Sequence, residues 1–213
     1  SIKLSEIVED DLVSDGKTNE RQWLQVKKEK KKDQTHWIDK ENLRREMQSW
    51  VYPLHFIDFE TAALAIPFNK ERHPYEGIAF QFSHHVVYDN GEVEHRGQFL
   101  SSKPGVFPNY DFLRNLKAQL EMDEGSIFRY AAHENTYLNM IYTQLQEDKN
   151  EILDREELCA FIRMIAHPTE KSPVQWSAGS RNMIDLQKLV LDYYYDPAMK
   201  GSSSSKAVLS FVF

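Results

Sequence analysis

The chain has little of what several protein classes require. One residue of 213 is cysteine, Cys159, which excludes an internal disulfide framework and an all-cysteine zinc site. No apolar run approaches the roughly 20 residues of a membrane span, and mean hydropathy is -0.61, so no membrane partner is expected. The first residues, SIKLSEIVEDDLVSDG, contain neither a positive leader nor an apolar stretch ending in small residues, so a cytoplasmic protein is expected. No internal repeat is visible. An excess of positive charge is also missing: the formal net charge is -7.

That charge is unevenly placed. Residues 1–50 hold 11 of the 26 Lys and Arg and 11 of the 33 Asp and Glu, which leaves 15 positive against 22 negative for residues 51–213. An acidic body argues against gripping nucleic acid by charge alone, because phosphate binding is led by Lys and Arg. It leaves room for carboxylates that hold metal ions, since a divalent cation inverts the local electrostatics.

What is present suffices for one good core: 41% hydrophobic and 12% aromatic residues. Residues 1–50 read as a helical appendage or linker from an upstream region. Glu20–Lys32 is rich in helix formers, and its lysines Lys27, Lys28, Lys30, Lys31 and Lys32 read as a solvated face. A second helix is expected from an Asp39 N-cap, with Leu43, Met47 and Trp50 on one face.

From residue 51 the texture changes to that of a mixed α/β domain. LHFIDFE (Leu54–Glu60) predicts a buried strand. Gly77–Tyr88 and Glu92–Leu100 predict a hairpin around Asp89-Asn90-Gly91. A helix with Asn109 as N-cap carries Phe112, Leu113, Leu116 and Leu120 and ends near a Gly125 C-cap. SIFRYAA (Ser126–Ala132) predicts a strand, Asn135–Leu145 a helix, and Asp154 caps another helix bearing Leu158, Phe161, Ile162 and Ile165. The apolar stretch that stops at Phe213 leads to the expectation that the domain, residues 51–213, is incomplete at its C-terminus.

The residues most able to carry chemistry are acids. Asp58 and Glu60 stand at i and i+2 of a strand, so both carboxylates project from one face. Holding two like charges together is costly unless a cation or hydrogen-bond donors neutralise them; the alternative is a solvated strand end. Glu134, where SIFRYAA meets the next helix, adds a third acid suited to Mg2+ or Mn2+. Its alternative role is a carboxylate at a positive helix end.

The order of elements and DFET at Asp58–Thr61 resemble the DEDD family of 3′-to-5′ exonucleases on a ribonuclease-H-like fold, a mixed sheet flanked by helices. Within it the chain is similar to an uncharacterised bacterial domain family marked by YPxxFxDFET, PYExxxFQxSxH and GSxSIKxVLP. The corresponding segments are Tyr52–Thr61, PYEGIAFQFSHH (Pro74–His85) and GSSSSKAVLS (Gly201–Ser210), with Ser205 in place of Ile and Ser210 in place of Pro. The resemblance implies Asp58, Glu60 and Glu134 as catalytic ligands of two divalent ions, with Glu134 one methylene longer than the usual Asp. Thr61, His133 and Lys206 become candidate substrate contacts. The fourth acid of that superfamily has no counterpart before Phe213. Asp185, which resembles an Asp that begins a helix in these folds, is the fallback candidate.

The implied function is hydrolysis of phosphodiester bonds at a DNA or RNA strand end, with a further nuclease-like domain expected upstream. The alternative is a nucleic-acid-binding or scaffolding module on the same fold with impaired catalysis. A paired-carboxylate glycosidase fits poorly, because acids two positions apart on one strand lie on one side of a substrate. His84 and His85 must face opposite ways and read as core or surface residues. Cys159 reads as a small core residue, and Tyr193, Tyr194 and Tyr195 as base-stacking rings or a packed helix end.

Overall fold

The computed structural model describes residues 6–12, 16–170 and 172–212, without the side chains of 211 and 212; Phe213 lies outside the described residues. In chain order the elements are α1 (Gly16–Lys31), β1 (Trp37–Ile38), α2 (Lys40–Gln48), β2 (Leu54–Ala63), β3 (Gly77–Val87), β4 (Val93–Leu100), α3 (Asn109–Leu120), β5 (Ile127–Arg129), α4 (His133–Glu147), α5 (Arg155–Ile165), β6 (Ile184–Asp185), α6 (Leu186–Tyr193), β7 (Tyr194–Tyr195) and α7 (Ser205–Val212). They form two compact units. Residues 50–185 make one, and residues 1–49 group with 186–213 in the other.

The larger unit is a five-stranded mixed sheet in the order β4-β3-β2-β5-β6, flanked by helices. β2 pairs antiparallel with β3 and parallel with β5, and β5 pairs parallel with β6. The carboxyl ends of β2, β5 and β6 therefore meet at one edge of the sheet. In open α/β sheets that edge is where ligands bind.

Alternation along β2 explains its place in the fold. Ile57 and Phe59 are buried in the core with Phe82 of β3, while Asp58 and Glu60, which alternate with them, are exposed. Helix α3 supplies Phe112, Leu113, Leu116 and Leu120 to this core, α4 supplies Leu138, Ile141 and Leu145, and α5 supplies Leu158, Phe161, Ile162 and Ile165. Each such side chain contributes about 1.5–3 kcal/mol of transfer free energy when fully buried. Cys159 is fully buried among them, and burial pushes its thiol up.

Some local expectations change. Asn109 is not a helix cap: Pro108 holds that position, without a side-chain cap bond. The Asn109 amide is instead fully buried, accepting from Ala79 N (2.8 Å) and donating to Gly77 O (3.1 Å) and Gln144 Oε1 (2.6 Å). A buried edge of β3 with unpaired backbone groups is a stronger demand than a solvated helix start. Gly125 does not cap α3, which ends at Leu120; a side chain there would collide with Pro53 O and the His55 ring. Trp50 lies beyond α2, and its ring meets Phe128 edge-on at 4.8 Å.

In the smaller unit, Asp39 caps α2 as expected, accepting from Asn42 N at 3.1 Å. The lysine run is not a uniform solvated face. Lys28 is 7% exposed, and its Nζ donates to Asp33 Oδ2 (2.8 Å) and Thr35 O (2.7 Å). Arg21 of α1 donates to the carbonyls of Leu191 (3.0 Å) and Tyr194 (2.6 Å), closing the C-terminal end of α6 where helix carbonyls lack partners. Tyr194 and Tyr195 pair with Ile38 and Trp37, and Tyr193 and Tyr195 are buried. No described helix is long and apolar enough to cross a membrane.

Candidate metal centre

The site grows from the carboxyl ends of β2, β5 and β6. Asp58 and Glu60 leave β2 on its exposed side, as their i, i+2 spacing requires. Between Glu60 and Thr61 the β2–β3 register shifts by a bulge, a device that turns the following side chains out of the regular pleat. Thr61 Oγ1 then lies 3.1 Å from His133 Nε2. That contact ties the end of β2 to the first residue of α4, whose His133 ring also packs at 4.8 Å from Tyr137.

Glu134 is the second residue of α4 and is 3% exposed. Its Oε2 is buried without a hydrogen-bond partner among the described residues. Burial pushes its carboxyl up to about 7, the nearby charges of Asp58 and Asp185 add to the shift, and Arg129 opposes it. Three of the acids singled out in the sequence thus feel one another, although they are separated by as many as 127 positions, Asp58 to Asp185.

Arg129 was not singled out in the sequence. It ends β5, is 6% exposed, and its Nη1 lies 3.1 Å from Asp185 Oδ2; its Nε makes no hydrogen bond among the described residues. The signal was there: an arginine inside SIFRYAA, an otherwise apolar strand, has to meet a carboxylate, because an unpaired buried cation is too costly. Asp185 reaches it through the parallel β5–β6 pairing, which sets Arg129 opposite Asp185. The other Asp185 oxygen, Oδ1, accepts from Ala131 N at 3.0 Å and holds the turn in which Ala131 has φ 65°. Asp185 thus braces the junction from which Glu134 projects.

Lys206 falls on α7, in the other unit. His84 points inward and is fully buried, whereas His85 is exposed and stands 3.1 Å from His95 across the hairpin. The expected opposition of the two rings holds.

The donor set suits a hard divalent cation. All of its candidate ligands are carboxylates, and the buried Oε2 of Glu134 has unused acceptor capacity that a cation would meet. Among the described residues no three His, Cys, Asp or Glu side chains are gathered at ligating distance around one point. Carboxylates without a cation between them repel.

A family model described as Domain of unknown function (DUF2779) matches residues 55–204, most of the chain. The chain belongs to this family. The DUF2779 match contains Asp58, Glu60, Thr61, His133, Glu134 and Asp185 and runs across both compact units. No curated protein and no solved structure matches the chain significantly.

Proposed function

We propose that this DUF2779 protein is a metal-dependent nuclease that hydrolyses phosphodiester bonds at a nucleic acid strand end, on a ribonuclease-H-like fold of the DEDD exonuclease type. The observation that carries the reading is the buried Glu134 carboxylate, whose Oε2 has no hydrogen-bond partner among the described residues and which feels the charges of Asp58 and Asp185. A buried carboxyl perturbed by desolvation and by neighbouring charges is a functional-site candidate.

In this reading Asp58, Glu60 and Glu134 hold Mg2+ or Mn2+. Two such ions would supply charge stabilisation for a displacement at phosphorus. The chain's own residues do the rest. Asp185 and Arg129 keep the β5–α4 junction in place, so that Glu134 stays directed at the sheet edge. Thr61 and His133 meet where the end of β2 approaches the start of α4. In this reading His133, whose Nε2 lies 3.1 Å from Thr61 Oγ1, contacts substrate.

One observation favours the second reading, a nucleic-acid-binding module with impaired hydrolysis. Asp185, the fallback fourth acid, already accepts from Ala131 N and pairs with Arg129, which leaves Asp58, Glu60 and Glu134 as the candidate ligands among the described residues. The two readings separate when end-labelled single-stranded DNA and RNA are incubated with Mn2+ or Mg2+. Cleavage that needs the metal and disappears in Asp58→Ala and Glu60→Ala supports the nuclease. Cleavage that persists in EDTA or in both variants sinks the metal mechanism, and binding without cleavage favours the module.

A further inference from the structure

A cavity of about 480 Å3 reaches the end of β2 at Ala62, within the roughly 300–1,000 Å3 of small-molecule sites. It begins at Ala62, two residues past Glu60 on the same strand and just beyond the bulge. Its walls include Phe68, Asn69, Phe80 and Lys103. We infer that this cavity is a nucleobase subsite: the terminal base of a single strand stacks on Phe68 and Phe80, Asn69 reads its edge, and Lys103 meets the adjoining phosphate. The inference rests on the nuclease or nucleic-acid-binding reading of the neighbouring acids and specifies the substrate contact that those acids lack.

Three features argue for this ligand chemistry. Phe68 is 74% exposed. A large apolar ring held out of the core beside a cavity is unfavourable by itself, and an unpaired base recovers that area by stacking. Asn69 is only 9% exposed, yet its side-chain amide has no hydrogen-bond partner among the described residues. A carboxamide offers two donors and an acceptor, the complement of a base edge, and a purely apolar ligand would leave it unsatisfied. Lys103 is exposed at the rim and makes no ion pair among the described residues, so its charge is open to a phosphate. A larger cavity of about 680 Å3 behind Arg72 and Arg114 lacks this character. Its arginines are already matched by Glu76, Asp148 and Asp154.

The test uses the full chain carrying Asp58→Ala, in EDTA so that nothing is cleaved, with single-stranded oligonucleotides bearing 2-aminopurine at either terminus. Stacking in the cavity quenches the fluorophore. Phe68→Ala is expected to abolish the quenching and raise Kd at least tenfold; its side chain is exposed, and an unchanged thermal midpoint confirms folding. Lys103→Ala should weaken binding to all sequences alike and lower the slope of log Kd against log salt by about one. Asn69→Ala should level the preference among terminal bases. A Phe68→Ala protein that binds and quenches as its parent does overturns the assignment, and so does quenching that is as strong at an internal position as at a terminus. Metal-dependent cleavage that Phe68→Ala leaves untouched would remove the subsite and keep the nuclease. Terminal-base binding that needs Phe68, in a protein that cleaves nothing, keeps the subsite and removes hydrolysis.

Discussion

The two ends of β2 carry similar groups in opposite states. At its start, His55 and the neighbouring His84 of β3 are fully buried, and each ring nitrogen has a partner. His55 Nδ1 meets His84 Nε2 at 2.9 Å, His55 Nε2 meets Asp123 Oδ1 at 2.6 Å, and His84 Nδ1 meets Gln119 Oε1 at 2.9 Å. Arg96 closes the chain by donating to Asp123 Oδ2 at 2.6 Å and to Tyr88 Oη at 2.8 Å. Towards the other end, Asp58 and Glu60 face outward, and Glu134 is buried with one oxygen unmatched among the described residues. A polar network completed within the protein holds strands and helix together. An incomplete one at the ligand-binding edge of a sheet is where chemistry is to be sought.

The largest expected difference is in function. Asp58→Ala should lower metal-dependent cleavage by on the order of 100-fold or more, since it removes a proposed ligand. Asp123→Ala, once folded, should cleave within a few-fold of the parent. Equal losses in a single-turnover assay would erase the contrast between the two ends.

Stability should respond in the reverse order. Asp123→Ala leaves His55 and Arg96 without their shared acceptor and should cost about 2–3 kcal/mol, read from urea midpoints at unchanged slope. Asp58→Ala should cost nothing in EDTA, because it relieves repulsion on Glu134.

The pH profiles supply a third contrast, in sign. Burial pushes Glu134 up to about 7, so the stability linked to its protonated form is complete below pH 4.5 and is lost as pH rises through 7. Burial first, and His55 beside it, push His84 down to about 4, so the stability linked to the neutral ring is present above pH 6.5 and is lost as pH falls through 4. Each amounts to about 3 kcal/mol at most, and the two oppose each other in the parent. Glu134→Gln should therefore unmask a stability that falls toward acid in metal-free protein. A profile identical to the parent's would show that Glu134 is not buried as described.

The smallest effect is expected at the joint between β2 and α4. Thr61→Val removes one hydroxyl contact to His133 and should cost about 1 kcal/mol or less. Cleavage should fall a few-fold, and a loss as large as that of Asp58→Ala would place Thr61 among the primary contacts.

Much of the fold was legible because its signals are local. Alternation in LHFIDFE set Ile57 and Phe59 against Asp58 and Glu60, and the Asp89-Asn90-Gly91 turn placed the hairpin, whose Gly91 has φ 84°. Leu113, Leu116 and Leu120 marked the inner face of α3. Polar residues with several possible employments were not legible in this way. Asn109 reads as a cap in one dimension and serves β3 and α4 in three. His55, His84 and Asp123 lie 29 and 68 positions apart along the chain, too far for any spacing rule.

The sequence by itself determined which strand carries two same-facing acids, which helices have an apolar side, and that a third acid opens α4, because side-chain period and turn chemistry act between near neighbours. Tertiary structure alone decided that Glu134 is buried, that Arg129 and Asp185 brace its junction, and that Asn69 and Phe68 border a cavity that reaches Ala62. Those outcomes depend on which strands become neighbours and on how much water is excluded between them. Both are properties of the packed whole, since pairing and desolvation energies arise only when distant segments meet.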